Sequence, residues 1–195
     1  MPFAAPPVGE NRFKHPQPFN ASWGGIDAEG RPFGAIRQAT AASNDCPQPF
    51  PPHSQSEDCL YLNVYTPAAR RIKELGGRIA VLFWLYPGAF IAGGSYQYGF
   101  YDGSYLAETR DVIVVTSNYR LGPLGLLPAD DSHANAAVVD QTKALEWVKR
   151  NIAWFGGDPD NVTMWGLSAG AYSILIHMTS PATPPGLFHK VILQS

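Results

Sequence analysis

Gly166-Leu167-Ser168-Ala169-Gly170 sets one hydroxyl between two glycines in the spacing G-x-S-x-G, at which a serine acts as nucleophile toward a carbonyl carbon. The apolar "NVTMW" precedes it and the helix-forming "AGAYSILIHM" follows, so the serine falls on a sharp strand-to-helix turn. Only residues without bulk fit where strand and helix pass that closely, which is what glycines on both sides provide. Such a turn lifts Oγ clear of the sheet and aims the N–H of Ala169, at the helix N-terminus, where an oxyanion would form. Ser168 is therefore a candidate acyl acceptor. The competing reading is a small residue that merely fits a tight turn.

An oxyanion needs further donors, converging from a loop after an earlier strand. "WLYPGAFIAGGS" follows the apolar "IAVLF" and fits that role. Pro87 has no N–H, so the donors fall to Gly88 and Ala89, with Phe90 and Ile91 placed to wall the acyl side of a substrate. A serine also needs a histidine to take its proton and a carboxylate to orient that histidine. Only 27 residues follow Ser168, and none is Asp or Glu. His177 lies nine residues on in the same helix, about 13 Å along its axis, and is read as a packed or capping residue. His189 precedes the last strand, at the sheet edge opposite Ser168. His15, His53 and His133 sit in upstream loops.

The elements that must position this chemistry follow from hydrophobic patterning. "IAVLFW" and "VIVVTS" are continuous apolar runs, as in buried parallel strands, whereas "LYLNVYTP" alternates like an outer strand. "YDGSYLAETRD" reads as a short helix. "NAAVVDQTKALEWVKRNIAWFGG" reads as the longest one, with Ala144, Leu145, Val148 and Ile152 on one face, Asn135 as its cap, and Gly156 and Gly157 as its stop. "HKVILQ" adds a last strand. This β/α alternation predicts a mostly parallel sheet with helices on both faces. "ARRIKELGG" reads as a basic, exposed loop. Ten of the 18 prolines fall in the first 52 residues, so that segment is expected to form a coat of loops without ladder or helix.

The 195 residues are 45% hydrophobic and 15% charged, enough for one sizeable core, and a net charge of −2 gives no electrostatic case for nucleic acid or an anionic membrane. No apolar run reaches the length of a membrane span, and the first residues lack the order of a signal peptide. Cys46 and Cys59, 13 positions apart, suit either a short disulfide loop or two buried thiols.

"FAAPPVGENRFKHPQP", "SEDCLYLNVYTP", "VVTSNYRLGPLGLL", "DQTKALEWVKRNIAWFGGDPDNVTMWGLSAGA" and "LFHKVILQS" together resemble the signatures of the type-B carboxylesterase/lipase family, in that family's order. The resemblance implies an α/β-hydrolase three-layer sandwich, incomplete here, with residues 1–59 as a loop-rich coat and 60–195 as the sheet-and-helix core. It implies a carboxylic ester hydrolase acting through an acyl-serine, with Ser168 as nucleophile and Gly88, Ala89 and Ala169 as oxyanion hole. It implies no metal or organic cofactor and a small-molecule ester as substrate. It also implies a Cys46–Cys59 disulfide and ion pairs Arg12–Glu57 and Arg120–Asp158. The alternative within the resemblance is a catalytically silent, adhesion-type relative, which commonly lacks the serine that is kept here. Three positions depart from the family pattern: Leu167 replaces a glutamate, Pro87 the first glycine of the oxyanion loop, and Ala89 its third. The disulfide and the sequon Asn20-Ala21-Ser22 favour a secreted or luminal parent protein, whereas the sequon Asn161-Val162-Thr163 leads into a buried strand.

The missing acid and base, and the bare apolar edge at "VILQ", make the chain read as part of a larger protein. The purified 195-residue chain is accordingly expected to unfold at low urea and to aggregate. A cooperative transition at high midpoint would contradict this.

Overall fold

The computed structural model describes residues 1–19, 25–26, 32–33, 39–51, 54–128 and 134–195. Strands β1 (Gly25–Ile26) and β2 (Pro32–Phe33) form a two-residue antiparallel pair. The main sheet holds β3 (Leu62–Tyr65), β4 (Ile79–Leu85), β5 (Ile113–Ser117), β6 (Gly157–Leu167) and β7 (Lys190–Gln194). The helices are α1 (Ala69–Glu74), α2 (Ser104–Arg110), α3 (Gly122–Leu126), α4 (Ala136–Asn151) and α5 (Ala169–Thr179).

The sheet order is β3-β5-β4-β6-β7, with β3 antiparallel to β5 and all other pairs parallel. Alternation along the strands gives each face its own cover. Val81 and Ile113 point toward Ile152, just past α4, and Leu82, Val114 and Trp84 toward the α2 side. Helices α4 and α5 share the first face, so the architecture is the three-layer α/β sandwich expected, with β7 at one edge.

Several local expectations change. "ARRIKELGG" is exposed but helical, because Arg70 and Arg71 pair with Glu74 along one side of α1 and Arg71 also reaches Asp111. Asn135 occupies the cap position of α4 with φ 58°, but its side chain makes no capping bond. The strand begun at "NVTMW" instead starts at Gly157. The N–H of Ile79 donates to Gly156 O, pulling the chain into the sheet early, and an irregularity between Ile79 and Val81 accommodates Pro159. The proline-rich N-terminus sustains short ladders after all, each too brief to need many N–H donors: β1 with β2, and the bridges Pro2 to Tyr61 and Asp45 to Gln55.

That segment also enters the core. Phe3, Ala4 and Cys46 are buried, and Cys46 is disulfide-bonded to Cys59, which rules out free thiols. Arg12 and Glu57 form the expected ion pair, with Nε 2.6 Å from Oε2. Arg120 does not meet Asp158. Arg120 follows the carboxyl end of β5, whereas Asp158 lies at the amino end of β6, where it pairs at 2.8 Å with Arg78 just before β4. Arg120 instead makes a fully buried two-point pair with Asp140 of α4 (2.7 and 2.8 Å) and donates to the carbonyls of Arg12 and Lys14 (3.0 and 2.8 Å). One guanidinium thus ties β5, α4 and the N-terminal segment together.

Asp140→Asn would leave that guanidinium buried without its counter-charge and is expected to lower unfolding free energy by about 3–5 kcal/mol in chemical denaturation. A loss below about 1 kcal/mol would show that the pair does not organise the core.

Candidate active site

Strand β6 ends at Leu167, and Ser168 turns the chain into α5 with φ 50° and ψ −118°. A non-glycine residue held there carries roughly 1–3 kcal/mol of backbone strain, so its surroundings must over-determine it. They do so on two sides. A Cβ on Gly166 would press into Gly170, and a Cβ on Gly170 would overlap the carbonyl oxygen of Leu85 on β4. On the β7 side, the N–H of Ser168 donates to Gln194 O at 2.9 Å. Ser168 itself is exposed, while Ala169 and Gly170 behind it are buried.

Leu85 and Gly166 are register partners, so the loop after β4 leaves the same sheet edge, in the neighbouring strand. That loop is held in unusual conformations: φ is 125° at Gly88, 54° at Ala89 and 61° at Phe90. Its carbonyls are engaged, Gly88 O by the N–H groups of Ile91 and Ala92, and Phe90 O by that of Gly122. Among the described residues, the N–H groups of Gly88 and Ala89 have no acceptor. Ala169, as the first residue of α5, likewise has an N–H with no intrahelical partner. The three donors proposed from sequence thus stand at adjoining strand ends.

The support beneath this loop had no sequence motif. Tyr86 and Tyr119 stack at 4.3 Å, and each hydroxyl donates to the other's backbone carbonyl (3.0 and 2.9 Å). Burial pushes both phenols well above their ordinary range, so they stay neutral donors. Gln48, from the N-terminal segment, clamps Gly93 in both directions, donating to its carbonyl at 2.7 Å and accepting its N–H at 2.8 Å. These groups are distant in sequence and obey no fixed spacing. Phe90 leans toward Tyr119, ring centroids 6.4 Å apart, and Ile91 is exposed. Neither lines the cleft at Ser168, a space of about 220 Å³ bounded by Ala171, Tyr172, Leu175, Leu193 and Gln194.

No described histidine reaches the serine. His177 is buried, its Nε2 3.0 Å from Gln141 Oε1 and its Nδ1 3.2 Å from Thr183 Oγ1. His189 lies at the amino end of β7, beside the middle of β6, where its Nδ1 accepts the N–H of Val162 at 3.2 Å. His15 faces the carbonyl of Ala134. His53, His133 and the sequon at Asn20 lie outside the described residues. Among the described residues, no group of three His, Cys, Asp or Glu side chains is arranged to hold a metal ion, and no helix is long and apolar enough to cross a membrane.

Over residues 1–195 the sequence matches the Carboxylesterase family. It is 42% identical over 202 residues to the Homo sapiens cocaine esterase, covering all of this chain and 35% of that protein. Identity to the para-nitrobenzyl esterase of Bacillus subtilis (strain 168) is 42% over 207 residues, covering all of this chain and 39% of that one. Among solved structures, a carboxylesterase of Geobacillus stearothermophilus superposes with a TM-score of 0.85 at 40% identity, over all of this chain and 38% of that one. The chain thus spans little more than a third of the length of these relatives.

Burial holds the His177 imidazole neutral and lowers its pKa from 6.5 to about 4. Because the folded value is depressed, the unfolded chain binds the extra proton first. The contribution of His177 is therefore complete above pH 6.5 and declines as pH falls toward 4, by about 3 kcal/mol in all. Denaturation of the wild type and of His177→Asn at pH 7 and pH 5 measures this: the wild type should lose more stability between the two. An equal loss would show that the imidazole is not held neutral.

Proposed function

Because the chain belongs to the carboxylesterase family, we propose that Ser168 is the nucleophile of a carboxylic ester hydrolase and that residues 1–195 form its nucleophile-bearing part. One observation carries this reading: an exposed serine on a strained strand-to-helix turn, at the same sheet edge as a loop with two uncommitted N–H groups. Ser168 Oγ attacks the ester carbonyl, and its proton passes to an imidazole from outside residues 1–195. The N–H groups of Gly88, Ala89 and Ala169 take the oxyanion, the alcohol leaves, and water releases the acid from the acyl-serine.

Leu167 puts no charge beside the serine, and Tyr172, Leu175 and Leu193 give the adjoining cleft an apolar wall. Both favour a small, neutral ester. The division into a coat, residues 1–59, and a core, residues 60–195, belongs to this reading. So does a secreted or luminal parent protein, which the disulfide favours.

In the enzyme that carries this segment together with its histidine and acid, Ser168→Ala is expected to lower kcat on an aryl ester by roughly 10⁶-fold and to abolish labelling by a fluorophosphonate probe. The 195-residue chain alone should remain unlabelled. Labelling of the Ser168→Ala enzyme would remove Ser168 from the role, and labelling of the bare chain at Ser168 would show that a base lies within it.

A further inference from the structure

Behind the nucleophile turn runs a chain of buried polar side chains that the hydrolytic steps do not use. Ser173 Oγ lies 3.0 Å from Ala169 O, Gln141 Nε2 3.0 Å from Ser173 Oγ, His177 Nε2 3.0 Å from Gln141 Oε1, and Thr183 Oγ1 3.2 Å from His177 Nδ1. Gln141 and Ser173 are fully buried and His177 is 3% exposed. Three such groups in an apolar layer cost stability unless each is satisfied, and here each is.

The direction of the bonds is fixed by a count of protons. Ala169 O accepts only, so Ser173 must donate to it. Ser173 Oγ is then left to accept, which turns the amide nitrogen of Gln141 toward it and the amide oxygen toward His177. A carbonyl oxygen again accepts only, so His177 carries its proton on Nε2, and its bare Nδ1 accepts from Thr183. All four donors point the same way, toward the first residue of α5. Flipping the Gln141 amide would reverse the Ser173 hydroxyl and strip Ala169 O of this bond.

We infer that Gln141, Ser173 and His177 are positioning residues: a one-way hydrogen-bond relay from Thr183 that fixes the first turn of α5 and thereby the strained backbone of Ser168. The relay secures the turn from the α4 side, as Leu85 packs against Gly170 from β4 and Gln194 binds Ser168 N–H from β7. The inference rests on reading Ser168 as the nucleophile for its functional meaning, though not for its geometry.

The test uses the complete enzyme that carries this segment, in NMR with labelled histidine and in amide hydrogen exchange. In the wild type the His177 ring should carry its proton on Nε2. A proton on Nδ1 would overturn the relay. Ser173→Ala should speed exchange at the Ser168 and Tyr172 amides by roughly tenfold, the worth of one hydrogen bond, while the β4 amides keep their protection, and Ser173→Thr should restore it. Thr183→Val, at the half-buried outer end, reads the same effect should Ser173→Ala fail to fold. Unchanged exchange at Ser168 and Tyr172, or an equal rise across β4, would show mere core filling and overturn the proposal. Fluorophosphonate labelling of the complete enzyme separates the two claims. If the amides respond but Ser168 never labels, the nucleophile reading fails and the relay stands.

Discussion

Helix α5 can begin where it does only because Gly170 lets its backbone lie against the carbonyl of Leu85, with Gly166 clearing the same space from the strand side. That contact sets the distance between helix and sheet at the one point where the chain must reverse within a residue. Ser168 absorbs the reversal in a strained conformation and is left facing outward. A methyl group at either glycine would push the helix off the sheet and relax the turn. The parallel register of β4 with β6, the exposure of the hydroxyl and the convergence of the neighbouring loop all presuppose this close passage.

The proline-rich N-terminal segment takes part in the same construction. Its carbonyls at Arg12 and Lys14 accept from the buried Arg120, its Gln48 holds Gly93, and its cysteine is bonded to Cys59. Arg120 is satisfied by the Asp140 carboxylate and by two backbone carbonyls at once, which is the condition under which a buried charge is tolerated. The loop carrying Gly88 and Ala89 is therefore braced from below by the tyrosines that follow β4 and β5, and from the side by a segment more than 30 residues earlier in the chain.

Three changes from the family pattern have distinct physical meanings in this setting. Ala89 keeps its N–H and adopts the positive φ that a glycine would take more easily, so the loop keeps its donor at the cost of strain. Pro87 has no N–H, whereas Gly88 and Ala89 beside it each keep one that is uncommitted among the described residues. Leu167 is apolar where the resemblance leads one to expect a glutamate, so the side chain before Ser168 carries no charge.

The sequence by itself determined the order of the five main-sheet strands, which of them are buried, and the serine's place on a turn, because these follow from local periodicity and from glycines at fixed spacing. Its five ordered blocks also identified the family. Local pattern missed the helix in "ARRIKELGG", where ion pairs on the exposed side accompany a single half-buried contact of Ile72 with the core, and the early start of β6, which is set by pairing with Ile79. The family resemblance, rather than local pattern, assigned Arg120 the wrong partner, since a charge's partner depends on which end of the sheet each residue occupies. The Gln48 clamp, the tyrosine stack and the Gln141–Ser173–His177 relay were legible only as polar residues interrupting apolar faces. Tertiary structure alone decided what they do, because a buried hydrogen bond is defined by the meeting of groups 32 to 45 residues apart, and no spacing rule connects them.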